Sequence, residues 1–328
     1  MLITELKSKF GDLDPFNKKD LISILKTDRF VEQYRDICKK EIDEEHHESF
    51  SILFKNTRNY IIENSVLTEI TDLTLFSFIF LVDFFKESII PNIMNLKALD
   101  TPEFRCPVMR AIKKDENEIR FDIEKIVGSV DTVEIDKFKY LKNDEIEKLF
   151  SEDSSDSIIN TIIKMISSEL IECIDKEIIE YLCEANQSDL RKESFDLKPP
   201  EGYNYGVKSW TENIIPLIVK MRAQTFVESN ITTSNKIIIP TSIFNLLKVP
   251  SSISPVETDL IKDKILIVSY EKDLPRDTAG FFMYTGIIPH LHGDNYRFHH
   301  RSSLRIFKPK TIAEIKLDNL EFFNRLCF

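Results

Sequence analysis

The chain has 328 residues, 42% of them apolar, enough to fill one large elaborated domain or two and to exclude a disordered chain. Its formal net charge of −11 argues against a protein that coats nucleic acid by neutralising phosphates, and leaves only local contacts of that kind. Seven glycines supply neither a G-x-x-x-x-G-K-[ST] loop nor a G-x-G-x-x-G turn, so phosphate-cradling nucleotide chemistry is not expected.

Residues 1 to about 64 read as charged helices, with apolar residues at helical spacing in "LISILKTDRFVEQYRDICKKEI". The opening "MLITELKSKFGD" carries Glu5 and Asp12 and lacks the unbroken apolar core of a secretory signal. From Leu67, "LTEITDLTLFSFIFLVDFFKESIIPNIMNL" predicts a buried helix that continues until Pro91 interrupts it. Its greasiest run, Leu73 to Val82, is too short to cross a bilayer. In "TPEFRCPVMRAIKK", Pro102 and Pro107 forbid an ordinary helix, and a short strand from Val108 to Ile112 fits best. "EIRFDIEKIV" alternates enough to be a second strand.

Ser154, Ser155 and Asp156 are N-cap candidates for the clearest helix of the chain, which runs to about Ala185. Its apolar row is Ile158, Ile162, Ile166, Leu170, Ile174, Ile178 and Leu182. Each four-residue step overshoots one helical turn by roughly 40°, so the row winds and the helix must meet different neighbours along its length. Such a helix is a spine. After a linker, "SDLRKESFDLKPPEGYNYGVKS", one helix is expected through "WTENIIPLIVKMRAQTF", with Trp210 as a core anchor. "NKIIIPTSIFNLLK" reads as a buried strand followed directly by a short helix, and "KILIVSY", "AGFFMYTGIIPHLH" and "SSLRIFKP" read as strands.

Four of the six histidines fall between Pro289 and Ser303: His290, His292, His299 and His300. In a strand His290 and His292 share a face, and a turn at Gly293, Asp294 and Asn295 brings back a strand on which His299 or His300 joins them. Three imidazoles near Asp294 are enough ligand chemistry for zinc with an open position. Against this, Asp294 is the one acid between Gly286 and Lys310, while Arg297, Arg301, Arg305, Lys308 and Lys310 surround it. A basic neighbourhood repels a cation and suits an acidic neighbour or a phosphate backbone. No metal is therefore expected there, and the imidazoles are expected to gain charge as pH falls below about 6.5. Cys38, Cys106, Cys173, Cys183 and Cys327 show no C-x-x-C spacing and read as free thiols of a reducing compartment. His46 and His47, among acids, read as a solvated face, and Phe322, Phe323 and Phe328 as buried against the body.

Four stretches carry a resemblance. "SIIPNIMNLKALDTPEFRCPVMRAI", "SSELIECIDKEIIEYLCEAN", "SNKIIIPTSIFNLL" and "ILIVSYEKDLPRDTAGFFMYTGIIP" resemble, in this order, segments of the major capsid proteins of tailed bacteriophages, in the branch of large contractile-tailed phages. The usual Gln-Pro-Met entry is absent, and Pro102 and Pro107 stand one residue too far apart. The resemblance implies an α+β capsid fold with a spine helix across a sheet, an extended loop and an N-terminal arm. It implies these divisions: 1–100 arm and lead-in helix, 101–130 extended loop, 131–200 peripheral domain with the spine, 201–285 axial domain, 286–328 returning strands. It further implies a non-enzymatic shell subunit forming hexamers and pentamers, with no cofactor. The implied partners are other capsid, portal or scaffold proteins and weakly touched packaged DNA, in a virion assembled in the host cytoplasm, with no membrane contact. The alternative from the residues alone is a metal-dependent hydrolase built on the histidine hairpin at 290–300.

Overall fold

The computed structural model describes residues 28–63, 72–115, 118–135, 141–142, 156–186, 191–229, 234–251, 253–270, 279–292 and 295–321. The charged N-terminal segment folds, within these residues, as α1 (Asp28–Lys39) and α2 (His47–Glu63). The apolar run that follows is α3 (Asp72–Glu87), and it is buried on nearly every side. Phe78 of α3 lies on Phe54 of α2 with ring centroids 4.5 Å apart, Phe85 meets Phe50 edge-on at 6.1 Å, and Phe76, Phe80 and Phe84, all buried, follow one another along α3. Each such side chain contributes about 1.5–3 kcal/mol by leaving water. This aromatic block is the centre of the largest core.

The helix α3 stops at Glu87, before the proline expected to end it. At the bend the Ser88 hydroxyl donates to Asp175 Oδ1 at 2.7 Å and the Ile89 N–H donates to Asp175 Oδ2 at 3.0 Å. A carboxylate from a distant helix thus ends α3, and Pro91 sits in the first turn of the short α4 (Ile90–Ile93), where a missing N–H costs nothing. Then come β1 (Asn95–Ala98), β2 (Glu103–Asp115), β3 (Glu118–Ser129), β4 (Asp131–Glu134) and β5 (Leu141–Lys142).

The spine is α5 (Asp156–Ala185), as its spacing predicts. Its buried residues include Ile163, Ser167, Leu170, Ile171, Ile174, Asp175, Ile178, Ile179 and Leu182. That band turns by roughly 100° about the axis from first to last, a smaller winding than a strict four-residue row gives. The helix packs on α3 and shares one core with Ile238, Leu266 and Val268 of the later strands.

The expected linker contains a strand, β6 (Lys192–Asp196). The expected single helix after it is two, α6 (Gly206–Thr211) and α7 (Ile214–Ser229). Pro216 explains the break: without an N–H it cannot bond back into the preceding turn, so it stands in the first turn of a new helix. Trp210 packs flat on Phe195 and donates its indole N–H to the Asp196 carbonyl at 2.7 Å. The remaining elements are β7 (Lys236–Pro240), α8 (Thr241–Phe244), β8 (Ser254–Thr258), β9 (Lys264–Val268), β10 (Ala279–His292), β11 (Asn295–Ile306) and β12 (Ala313–Asp318).

Three sheets result among the described residues: β1-β10-β11-β4 with β5 beside β11, β6-β12-β9-β7-β8, and the pair β2-β3. The expected boundary at 285 falls inside β10, and β12 belongs with β6 and β9 rather than with the returning strands. Buried Arg191 ties this second sheet together, pairing with Glu228 of α7 at 3.2 Å and donating to the carbonyls of Pro309 and Ile312.

In the first sheet, β10 shifts register against β11 between Met283 and Ile288. Two neighbours on α2 satisfy the irregular backbone there. Asn56 Nδ2 donates to the carbonyls of Leu99 and Tyr284 at 2.6 and 3.0 Å, and Thr57 Oγ1 accepts from the Gly286 N–H at 2.8 Å. A β-carbon on Gly286 would lie 2.7 Å from a Leu81 methyl, so glycine here lets α3 approach the sheet. No helix of the described residues is long and apolar enough to cross a membrane.

Candidate functional site: a free ribbon and a histidine hairpin

The strands β2 and β3 pair with each other over their whole length, from Glu103 opposite Ser129 to Asp115 opposite Glu118, and with no other described strand. Thirteen residues in β2 make a ribbon roughly 40 Å long, well beyond the strand expected at Val108 to Ile112. Pro107 is compatible with it because every second N–H of a two-stranded ribbon points away from the partner. The ribbon is anchored at its base. Phe104 lies against its register partner Gly128, where a β-carbon would come within 2.5 Å of the ring, and stacks on Phe282 with centroids 4.0 Å apart. Phe104, Cys106 and Val108 form a small core there with Phe282 and Phe307. Further along β3, Ile123 and Val127 are 66% and 62% exposed. Residues 116–117, between the two strands, lie outside the described residues.

The hairpin β10–β11 places His292 opposite Asn295 and His290 opposite Arg297. His290 and His299 come together as the spacing allows: their rings stack with centroids 4.1 Å apart and 23° between planes. Tyr60 of α2 stands edge-on to both, at 6.2 and 6.3 Å. His300 is on the other face, fully buried, with its ring 6.3 Å from that of Phe281. Asp294 and the side chain of His292 lie outside the described residues. Nε2 of His290 and of His299, and both ring nitrogens of His300, are buried without a hydrogen-bond partner. Among the described residues no three His, Cys, Asp or Glu side chains gather as a metal site.

The expectation of imidazoles that charge below about 6.5 is corrected by burial. Desolvation, with His290 and Arg301 adding repulsion, pushes His299 down to about 4. Desolvation, with His299 beside it, pushes His300 down to about 4, and His290 is also lowered by burial. The rings of His299 and His300 stay neutral through mild acidification. Two carboxyls go the other way. Asp83 and Asp175, at the contact of α3 and α5, are each raised to about 6 by burial, opposed by Ser167 for the first and by Ser88 and the Ile89 N–H for the second.

Cys38, Cys106, Cys173 and Cys183 form no disulfide among the described residues, and burial raises the thiols of Cys106 and Cys183. Two open clefts flank the spine, of about 380 and 480 Å³. The first is lined by Glu87, Glu172, Asp175, Glu257 and Asp259 among others, and neither contains a hairpin histidine. His46 and His47 are half-buried, and His46 packs against Phe85 at 5.3 Å, so the solvated face expected for them is not found. Phe322, Phe323, Phe328 and Cys327 lie outside the described residues.

No family model and no curated protein matches this chain. Solved structures similar to it include the virus-like particle from Pyrococcus furiosus, at 13% identity and TM-score 0.47 over 72% of this chain and 95% of that one. Mycobacterium phage Bobi gives 9% identity and TM-score 0.47 over 71% and 91%, and the SrpI encapsulin complex from Synechococcus elongatus 10% and 0.42 over 69% and 85%.

Proposed function

We propose that this chain is a structural subunit of a bacteriophage capsid shell, self-associating into hexamers and pentamers that enclose DNA. The observation that carries the reading is the β2–β3 ribbon. A two-stranded ribbon with apolar side chains facing water is marginal alone and is stabilised when a second surface covers it. In the reading offered here that surface belongs to a neighbouring copy, so that the ribbon is the extended loop (101–130) and α5 the spine of the peripheral part (131–200). The segments 1–100, 201–285 and 286–328 are then the arm with its lead-in helix, the axial part and the returning strands, apart from β12. The role is non-enzymatic and needs no metal or cofactor. Its setting is a virion, assembled in the host cytoplasm with scaffold, portal or other capsid proteins and touching packaged DNA weakly. The likeness of sequence to the contractile-tailed branch supports that setting.

The test compares full-length protein with Ile123→Asp/Val127→Asp by sedimentation and negative-stain microscopy. Rings, sheets or shells from the parent, and dispersed subunits of unchanged melting temperature from the variant, are expected. A parent that stays monomeric at high concentration, or a variant that assembles as well as the parent, overturns the reading.

A further inference from the structure

The net charge of −11 makes any local excess of cations conspicuous, and one follows β11. Arg297, Arg301 and Arg305 are separated by even numbers of residues and so lie on one face of that strand, with His299 between the first two. Four residues of strand put them in steps of roughly 13 Å. Aromatic rings hold two of the guanidinium groups without neutralising them: Arg301 lies 5.2 Å from the Tyr284 ring and Arg305 6.0 Å from that of Phe104. Arg297 pairs with Glu134 at 3.5 Å, whereas neither Arg301 nor Arg305 forms an ion pair among the described residues. Arg301 Nε is buried without a hydrogen-bond partner.

We propose that the arginine row of β11 is the surface of this chain that contacts the phosphate backbone of double-stranded DNA. It deepens the shell reading and depends on it for the source of the DNA. A duplex carries one negative charge per about 1.7 Å of axis, so a straight row of guanidinium groups at any spacing finds phosphates without sequence register. Arginine suits this because its planar fork meets two phosphate oxygens while its face rests on an aromatic ring. The competing occupant is the acidic cleft beside α5 of a second copy. That cleft is a hollow of about 380 Å³ whose Asp175 is already held by Ser88 and Ile89, whereas the arginine row runs over roughly 26 Å of strand, a length better matched by a duplex.

The experiment uses unassembled full-length protein and a labelled duplex of about 30 base pairs, read by fluorescence anisotropy. With three phosphates neutralised, affinity falls about 40-fold between about 50 mM and about 200 mM salt. In Arg301→Gln/Arg305→Gln one contact remains, and the fall over the same range shrinks to about 3-fold, with weaker binding throughout. Arg305→Gln alone, at an exposed position, gives about 12-fold and covers the case in which the double variant folds poorly. Lys208→Gln/Lys248→Gln, exposed lysines elsewhere with the same loss of charge, keep the parental slope. No binding by the parent, or a slope unchanged by the arginine variants, overturns the proposal. If the arginine variants instead lose self-association while the parent never binds the duplex, the row is a subunit contact and the proposal is likewise overturned. Failure of the parent to assemble would sink the shell reading and leave this titration readable.

Discussion

Replacing Asp83 and Asp175 by asparagine should remove a pH dependence of stability that opposes the one set by the buried histidines His299 and His300. The two carboxyls are raised from 3.8 to about 6 in the fold. Their contribution is fully present below 3.8 and is lost as pH rises through about 6, because the native state holds a proton that the unfolded chain releases. His299 and His300 are depressed from 6.5 to about 4, so theirs is present above 6.5 and lost as pH falls through about 4. Each displacement is worth about 3 kcal/mol. Between about 4 and about 6 the native acids bind about two protons that the unfolded chain lacks, and the unfolded histidines bind about two that the native state lacks. The slopes cancel. With asparagine in both positions one of the two donors to Asp175, Ser88 Oγ or the Ile89 N–H, keeps an acceptor and the other faces an amide NH2, a cost independent of pH; the histidine slope is unmasked, and stability falls on acidification by nearly 3 kcal/mol per pH unit relative to the parent. Urea unfolding of full-length parent and variant at about pH 4.5, 5.5 and 6.5, compared as differences, reads this directly. A variant whose midpoint tracks the parent's across that range would refute the compensation.

The reciprocal variant, His299→Gln/His300→Leu, should gain stability relative to the parent as pH falls from about 6 to about 4, by a similar slope and in the same urea assay. Gly286→Ala, whose added methyl meets Leu81 at 2.7 Å, should lower stability by about 1–3 kcal/mol, read as a shifted urea midpoint with unchanged m-value. Phe104→Ala removes the ring between Gly128 and Phe282 and should release the base of the ribbon; limited proteolysis then cuts first within residues 103–129, and cutting elsewhere would count against the anchor. Asn56→Leu leaves the carbonyls of Leu99 and Tyr284 unpaired and should cost about 1–3 kcal/mol.

What could be read from the chain depended on how local its cause was. The spine from Ser155 to Ala185, the strand from Ala279 to His292 and the step from Lys236–Pro240 into a short helix announce themselves because apolar spacing over ten or more residues admits one conformation. The strand Lys192–Asp196 was invisible, since one apolar residue, Phe195, carries its burial and the rest of its stability comes from pairing with Ala313–Asp318. The end of α3 was misplaced for a similar reason: its stop signal is Asp175, far along the chain, and outweighs the nearby Pro91. For the histidines, alternation gave the shared face of His290 and His299. Their suppressed basicity needed Tyr60 and the neighbouring strands, which no spacing within the hairpin reveals.

The parallel pairing of Asn95–Ala98 with Gly280–Met283 sets a clock on the birth of the subunit. A ribosome that has just delivered β1 must add some 185 further residues before its partner exists, roughly 10 to 40 s at ordinary synthesis rates. During that interval the phenylalanines of α3 lack the sheet they rest on, and the nascent chain needs shelter from other apolar surfaces. The ribbon base has the same delay, because Phe104 waits for Phe282. A truncated or stalled chain therefore presents a ribbon with no seated base.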